Sequence, residues 1–241
     1  MRYLVTCEHG GNRVPPPYRP LFRGAGEVLA SHRGWDPGAL HLARGIARGL
    51  AAPLRYSTVT RLIVDPNRSE ESPTLLSEFS SKLGPRERAD AIRRYHRRYR
   101  DRVRRLVEER SLHHALLHLS VHTFTPVMDG RPRRVGIGVL FDPLREGEAR
   151  LAQAWIPRLR REVRGVRVEA NQPYLGVDDG LTTTLRGSFP PCRYLGLELE
   201  VRQDLAQGLF AGIAGNPAPR LAATLREAAE EVLLAGPIGG R

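Results

Sequence analysis

The chain has 241 residues, 41% hydrophobic and 27% charged, so it can bury a sizeable core as one domain and is not a disordered chain. No apolar run approaches the roughly 18–20 residues that span a bilayer, and the first residues, MRYLVTCEHGG, read as a strand rather than a signal peptide, so the expected compartment is the cytoplasm. The net charge of +12 invites a nucleic-acid partner, but Lys82 is the sole lysine and the arginines are spread along the chain, which makes that partner an unfavoured expectation.

Tyr3–Cys7 is a short apolar run ending in a Glu-His-Gly-Gly-Asn turn, which predicts a buried strand and a loop. Between Trp35 and Leu50, Ala39, Leu42, Ala43, Ile46 and Leu50 recur at helical spacing, with Pro37 near the start. Arg55 to Val64 is rich in Thr, Val and Ile and predicts a second strand, stopped by Asp65-Pro66-Asn67-Arg68. Arg86 to Arg110 predicts a long helix opening at Pro85. Its arginines alternate with Glu87, Asp90, Asp101, Glu108 and Glu109, the pattern of a solvated face. Ala115–Val121, ending at His122, and Val135–Phe141 predict further strands. Glu148 to Val163 predicts a helix that Pro157 should kink or split. Val166–Ala170 and Tyr194–Val201 complete the strands, and Pro219 to Leu234 predicts a closing amphipathic helix. Strands alternating with helices imply one α/β domain over residues 1–241, with a mainly parallel or mixed central sheet and helices on both faces.

In such sheets ligands bind beyond the carboxyl ends of the strands. Here those ends carry Glu8-His9-Gly10-Gly11-Asn12, Asp65-Pro66-Asn67-Arg68, His122-Thr123-Phe124 and Glu198-Leu199-Glu200-Val201-Arg202. Packing does not require so many polar groups in register. Two strand-end imidazoles, His9 and His122, suit a catalytic metal, which takes three protein ligands and a water. A third ligand can come from His32 or Asp36, four apart and on one face if that stretch is helical; either can instead cap the helix or orient an imidazole. Glu198 and Glu200 alternate with leucines and so share one face of their strand. A carboxylate there can serve as a general base beside a metal-bound water, or be the polar face of an edge strand. Arg68 offers a fork for a carboxylate and Asn67 a donor beside it, unless the segment is an ordinary Asp-Pro-Asn turn. The two cysteines, Cys7 and Cys192, are too few for a disulfide framework and read as packing residues.

Taken together, CEHGGNRVP at 7–15, SHRGWDPGA at 31–39, TRLIVDPNRS at 60–69, LSVHTFTP at 119–126, NQPYLG at 171–176 and LELEVRQDL at 197–205 resemble the N-formylglutamate amidohydrolase family. The pieces occur in family order across most of the chain. The family is similar to the zinc carboxypeptidases and aspartoacylases, so the resemblance implies a zinc-exopeptidase-like fold. It implies His9 and His122 as zinc ligands, Glu200 as the catalytic glutamate, and Asn67 with Arg68 as the binders of a substrate carboxylate. The carboxypeptidase turn carries a glutamate three residues after its histidine, and this chain has Asn12 there. Asp36 is therefore the expected third ligand, with Glu8 behind it.

The expected function is hydrolysis of the amide of an N-acyl amino acid, with N-formyl-L-glutamate the leading substrate and one divalent zinc as cofactor. Arg61 or Arg186 would hold a second carboxylate or stabilise the oxyanion, and Asn171 and Tyr174 would line the pocket. Two alternatives remain open: another metallo-deacylase or small carboxypeptidase, and a non-enzymatic basic protein that binds nucleic acid.

Overall fold

The computed structural model describes residues 1–206 and 218–236. Six strands form one sheet: β1 (Arg2–Cys7), β2 (Leu54–Tyr56), β3 (Leu116–Phe124), β6 (Ile137–Leu140), β7 (Val168–Ala170) and β8 (Tyr194–Arg202). Their order is β2-β1-β3-β8-β6-β7. All neighbours run parallel except β6 and β8, which are antiparallel. A small hairpin, β4 (Val127–Met128) and β5 (Arg131–Pro132), stands apart from it. The α/β class with a mostly parallel mixed sheet is as the alternation of elements predicted.

The two faces of the sheet differ because strand side chains alternate. Odd-numbered residues Val5, Cys7, Leu117, Leu119, Val121, Leu195, Leu197 and Leu199 face a large apolar core. It is completed by α2 (Ala39–Gly49), α5 (Glu146–Glu162) and α7 (Ala218–Leu234), through Leu42, Ile46, Trp155, Leu159, Leu221 and Leu225. The other face packs Leu4, Leu116 and Tyr194 against Val103 and Val107 of α4 (Arg98–Arg110) and against Leu181 and Leu185 of α6 (Leu181–Ser188). Nearer the strand carboxyl ends that second face turns polar. Glu8 follows β1, Ser120 and His122 lie on β3, and Glu198 and Glu200 lie on β8. In the parallel β3–β8 register His122 sits opposite Glu200, and Ser120 opposite Glu198.

Some local expectations are corrected. The strand predicted over Arg55–Val64 is confined to Leu54–Tyr56. Leu62 and Ile63 lie in a turn, with Val64 just beyond it, and all three bury in a separate cluster with Tyr18, Phe22 and Leu75. Burial, not ladder bonding, explains their apolar character. The helix predicted from Arg86 to Arg110 comprises α3 (Pro85–Ala91), a π-helical stretch at Ile92–Arg97, and α4. Pro157 neither splits nor ends α5, because it sits on the exposed outer side, where water can take the place of the missing backbone bond. Residues 32–36 are not helical: α2 starts at Ala39, so Asp36 precedes it. The 3₁₀ helix at Pro16–Phe22, α1 (Gly26–Ala30) and α6 carry too little periodicity to be foreseen. No described helix is long and apolar enough to cross a membrane.

Candidate active site

A cavity opens over the carboxyl ends of β1, β3 and β8. Its lining includes His9, Asp36, Arg61, Asn67, Arg68, His122, Tyr174, Glu198 and Glu200. His9 is carried by the loop after β1. Both glycines that follow it are required by crowding rather than by an unusual turn: a Cβ at Gly10 would lie 2.9 Å from the Ser57 carbonyl oxygen, and one at Gly11 would lie 2.9 Å from that of Thr58. The segment from His9 is thereby pressed against the chain that leaves β2.

Asp36 reaches both imidazoles. Its Oδ2 is 2.9 Å from His122 Nδ1 and 3.4 Å from His9 Nδ1. Among the described residues, His9, Asp36 and His122 are the group whose donor atoms could hold a metal, all within 4.8 Å of one another. The far nitrogen of each imidazole is already engaged. His9 Nε2 bonds Asp65 Oδ1 at 2.7 Å. His122 Nε2 meets Ser120 Oγ at 2.8 Å and Glu8 Oε2 at 3.2 Å. These contacts suit rings whose Nε2 carries a proton, which leaves Nδ1 as the nitrogen facing inward. His9 Nδ1 is buried and has no hydrogen-bond partner. A buried polar atom left unpaired, beside a carboxylate and a second imidazole, fits a cation.

The outer groups are themselves held. Tyr99 donates to Glu8 Oε1 at 2.9 Å and Ser120 to Glu8 Oε2 at 2.5 Å. Arg61 donates twice to Asp65 Oδ2, at 2.9 and 2.6 Å, and its Nη1 lies 3.8 Å from Asp36 Oδ1. Asp65 also caps its own turn, accepting from Asn67 N at 2.8 Å. Burial raises the pKa of Glu8, Asp36 and Asp65, but the neighbouring imidazoles and guanidinium outweigh it, so all three are held below the usual carboxylate range. Burial disfavours the charged form of His122, yet its contacts with Asp36 and Glu8 hold its pKa well above the ordinary imidazole value.

Glu200 differs from the other carboxylates. Burial raises its pKa from 4.5 to about 8, with Asp36 and Glu198 adding to the rise and His122 opposing it. Its Oε2 is buried without a partner. Glu198, by contrast, accepts a short bond from the Thr182 hydroxyl. The raised pKa has a consequence for the metal-free protein. Folded Glu200 binds its proton more tightly than unfolded Glu200, so this group lowers stability as pH rises from about 4.5 to about 8. The slope is about 1.4 kcal/mol per pH unit. In urea unfolding of chelator-treated protein, Glu200→Gln is expected to gain on the wild type between pH 5 and pH 8; a constant difference would refute the shift.

Of the remaining expected site residues, Asn67 and Arg68 line the cavity but are partly committed. Asn67 Oδ1 accepts from Leu181 N at 2.8 Å, which leaves its Nδ2 as donor. Arg68 Nη1 donates to the carbonyls of Asn67 and Asp179, at 3.0 and 2.8 Å. Tyr174 lines the mouth. Asn171 does not: its Oδ1 accepts from Phe141 N and Gly176 N, at 2.9 and 3.1 Å, and so fixes the loop that presents Tyr174.

Arg186 is a correction. It lies outside the cavity lining, buried, with Nε 3.1 Å from both oxygens of Glu148 and Nη2 2.7 Å from the Gly196 carbonyl. Glu148 accepts in addition from Gly196 N and Asp142 N. Every strong acceptor near Arg186 is structural, so it has no free face for substrate. Removing one member of a satisfied buried pair leaves a bare charge, so Arg186→Met is expected to lower unfolding free energy by about 3–5 kcal/mol. Adding Glu148→Gln should recover part of that loss in the same denaturant titration, whereas a catalytic Arg186 would cost activity without stability.

The structure places the other residues weighed as a third ligand outside this group. Asn12 donates to Leu29 O at 3.0 Å on the surface. His32 lines the cavity but is not in the His9, Asp36 and His122 group. Glu8 stands behind His122 rather than beside its Nδ1. Sequence reading missed Ser120 and Tyr99. The spacing Ser120-x-His122 on a strand signals a shared face and could have revealed the serine. Tyr99 comes from a distant helix and leaves no local signal.

A sequence model described as N-formylglutamate amidohydrolase matches residues 1–206. A solved gene product of Agrobacterium tumefaciens is 32% identical, with a TM-score of 0.77 over 97% of this chain and 90% of that one. An N-formylglutamate amidohydrolase from Ralstonia eutropha shares the fold at 20% identity, with a TM-score of 0.65 over 98% of this chain and 96% of that one. No curated protein matches the chain.

Proposed function

Because the chain belongs to the N-formylglutamate amidohydrolase family, a family of hydrolases, we propose that it cleaves the amide of an N-acyl amino acid with the aid of a zinc ion. The leading substrate is N-formyl-L-glutamate, which would yield formate and L-glutamate. The observation that carries this reading is the trio of His9 Nδ1, Asp36 and His122 Nδ1, inward-facing and held from behind by Asp65 on one side and by Ser120 with Glu8 on the other.

Those three residues would hold the metal. Zinc held there would supply Lewis acidity, to polarise an acyl oxygen and bring the pKa of water toward ~7. In its ionised form Glu200 takes the proton of the attacking water on its unpaired Oε2 and returns it to the departing nitrogen. Its burial suits this role, since a carboxyl that resists ionisation holds a proton well enough to deliver it. Asn67 Nδ2 and the uncommitted edge of Arg68 receive the α-carboxylate. Arg61, fixed by Asp65 next to Asp36, faces negative charge developing on the acyl oxygen.

The test joins metal analysis to a substrate panel. Purified protein should contain about one zinc per chain, and release of free amine from N-formyl-L-glutamate should stop on chelation and return with zinc. Activity that persists after complete metal removal would overturn the metal reading. Activity on longer acyl groups with none on formyl would change the substrate.

A further inference from the structure

Arg133 lies between two residues of the cavity wall, outside the charge cluster used above. Its guanidinium carbon is 5.3 Å from the ring centre of Phe124 and 5.2 Å from that of Tyr174, and its Nη1 donates to Tyr174 Oη at 3.1 Å. Both rings line the cavity. The backbone of Arg133 is pinned too: its N donates to Pro126 O at 2.8 Å, and its carbonyl accepts from Arg202 Nη1 at 3.0 Å. Arg202 ends β8, the strand that carries Glu200. The guanidinium is thus fixed relative to the base, with little rotamer freedom left to lose when a ligand arrives.

The charge of Arg133 is also unmatched. Arg61 is paired with Asp65, Arg186 with Glu148 and Arg202 with Asp204. Arg133 has no carboxylate partner among the described residues, and Nε and Nη2 remain for a bidentate bond. The aspartates at the same mouth do not meet it: Asp178 accepts from Leu175 N and Asp179 from Ser69 N. Arg131 and Arg134, exposed on the same segment, add to the positive field.

On the amidohydrolase reading of this cavity, we infer that Arg133 is a specificity-determining residue that binds the side-chain carboxylate of an acidic N-acyl amino acid. Arg68 and Asn67 then serve the α-carboxylate. Arg68 lines the cavity and Arg133 lies against its Phe124 and Tyr174 wall, so two separate cationic groups suit a dicarboxylate. Arg133 is half-buried against the two rings, which strengthens a charge pair formed there. A neutral side chain of the same length would leave the guanidinium unpaired in the complex.

The test compares N-formyl-L-glutamate with N-formyl-L-glutamine, which share an α-carboxylate and differ in the side-chain charge. Arg133→Met keeps an apolar stem between the rings and removes the fork. It should raise KM for the glutamate compound at least about 10-fold, leave kcat within about 2-fold, and change the glutamine compound little. The acid-over-amide preference should collapse accordingly. Arg133→Lys keeps charge without the fork and should show a smaller fall in the same direction; it carries the comparison if the Met variant does not fold. An unchanged preference in the folded variants would overturn the assignment. If the wild type hydrolyses neither compound, the proposed reaction is wrong, and calorimetric titration of both compounds into zinc-loaded protein decides Arg133 alone. A wild-type preference for the acid that Arg133→Met removes supports it, and no preference overturns it.

Discussion

On the proposed function, His9→Ala and His122→Ala are each expected to lose zinc and, with it, all measurable hydrolysis. Disturbing the groups behind a metal-bound histidine typically costs 10–100-fold in affinity or activity. Removing the ligand itself should exceed about 100-fold, so a stoichiometric ion would not survive purification. The loss should be chemical rather than structural. Both imidazoles sit on the polar side of the sheet ends, away from the leucine face that carries the main core. Elemental analysis and far-UV circular dichroism on the same samples separate the two causes: metal-free protein with native ellipticity is the expected pair of results. Full zinc in folded His9→Ala would refute the site. Asp36→Asn is a harder probe, because Oδ2 bridges towards both imidazoles; unchanged zinc affinity there would remove Asp36 from the ligand set.

The second large effect concerns Glu200. Glu200→Gln preserves the size of the side chain and removes the base, so zinc should stay bound while kcat falls at least about 10²-fold. Glu198 lies two residues away on the same strand face and lines the same cavity. Its Oε1 is committed to Thr182, whereas Glu200 Oε2 has no partner. Glu198→Gln should therefore reduce kcat far less. The reverse ranking would move the base to Glu198, and full activity in both variants would end the carboxylate-assisted mechanism.

Much of this protein was legible because the informative signals were local. Alternation along LELEV places Glu198 and Glu200 together and opposite Leu197 and Leu199, whatever the rest of the chain does. Runs such as Leu116–Val121 announce strands covered on both faces, and the register of polar clusters with strand ends points to one rim of the sheet. The apolar run at Leu62–Val64 misled for the same reason. Burial demands apolar residues, but a turn packed under loops satisfies that demand as well as a ladder does.

Tertiary structure decided what spacing along the chain cannot. Asp36 was the expected partner of His9 only by resemblance, with Glu8 behind it and His32 open, until folding brought Asp36 between two imidazoles, put Glu8 behind His122 and left Asn12 on Leu29. Arg186 and Arg61 read alike as cations, yet Arg186 meets Glu148 from a remote helix and is consumed in the core, while Arg61 meets Asp65 at the cavity wall. A charged group does what its nearest partner allows, because Coulomb and hydrogen-bond energies fall off within a few ångströms and burial multiplies them. Such partners come from elements far apart in the chain, as Tyr99 and Ser120 do for Glu8, 91 and 112 residues away. The types of chemistry are therefore written in the chain, and their assignment to individual residues is made by the packing of distant segments.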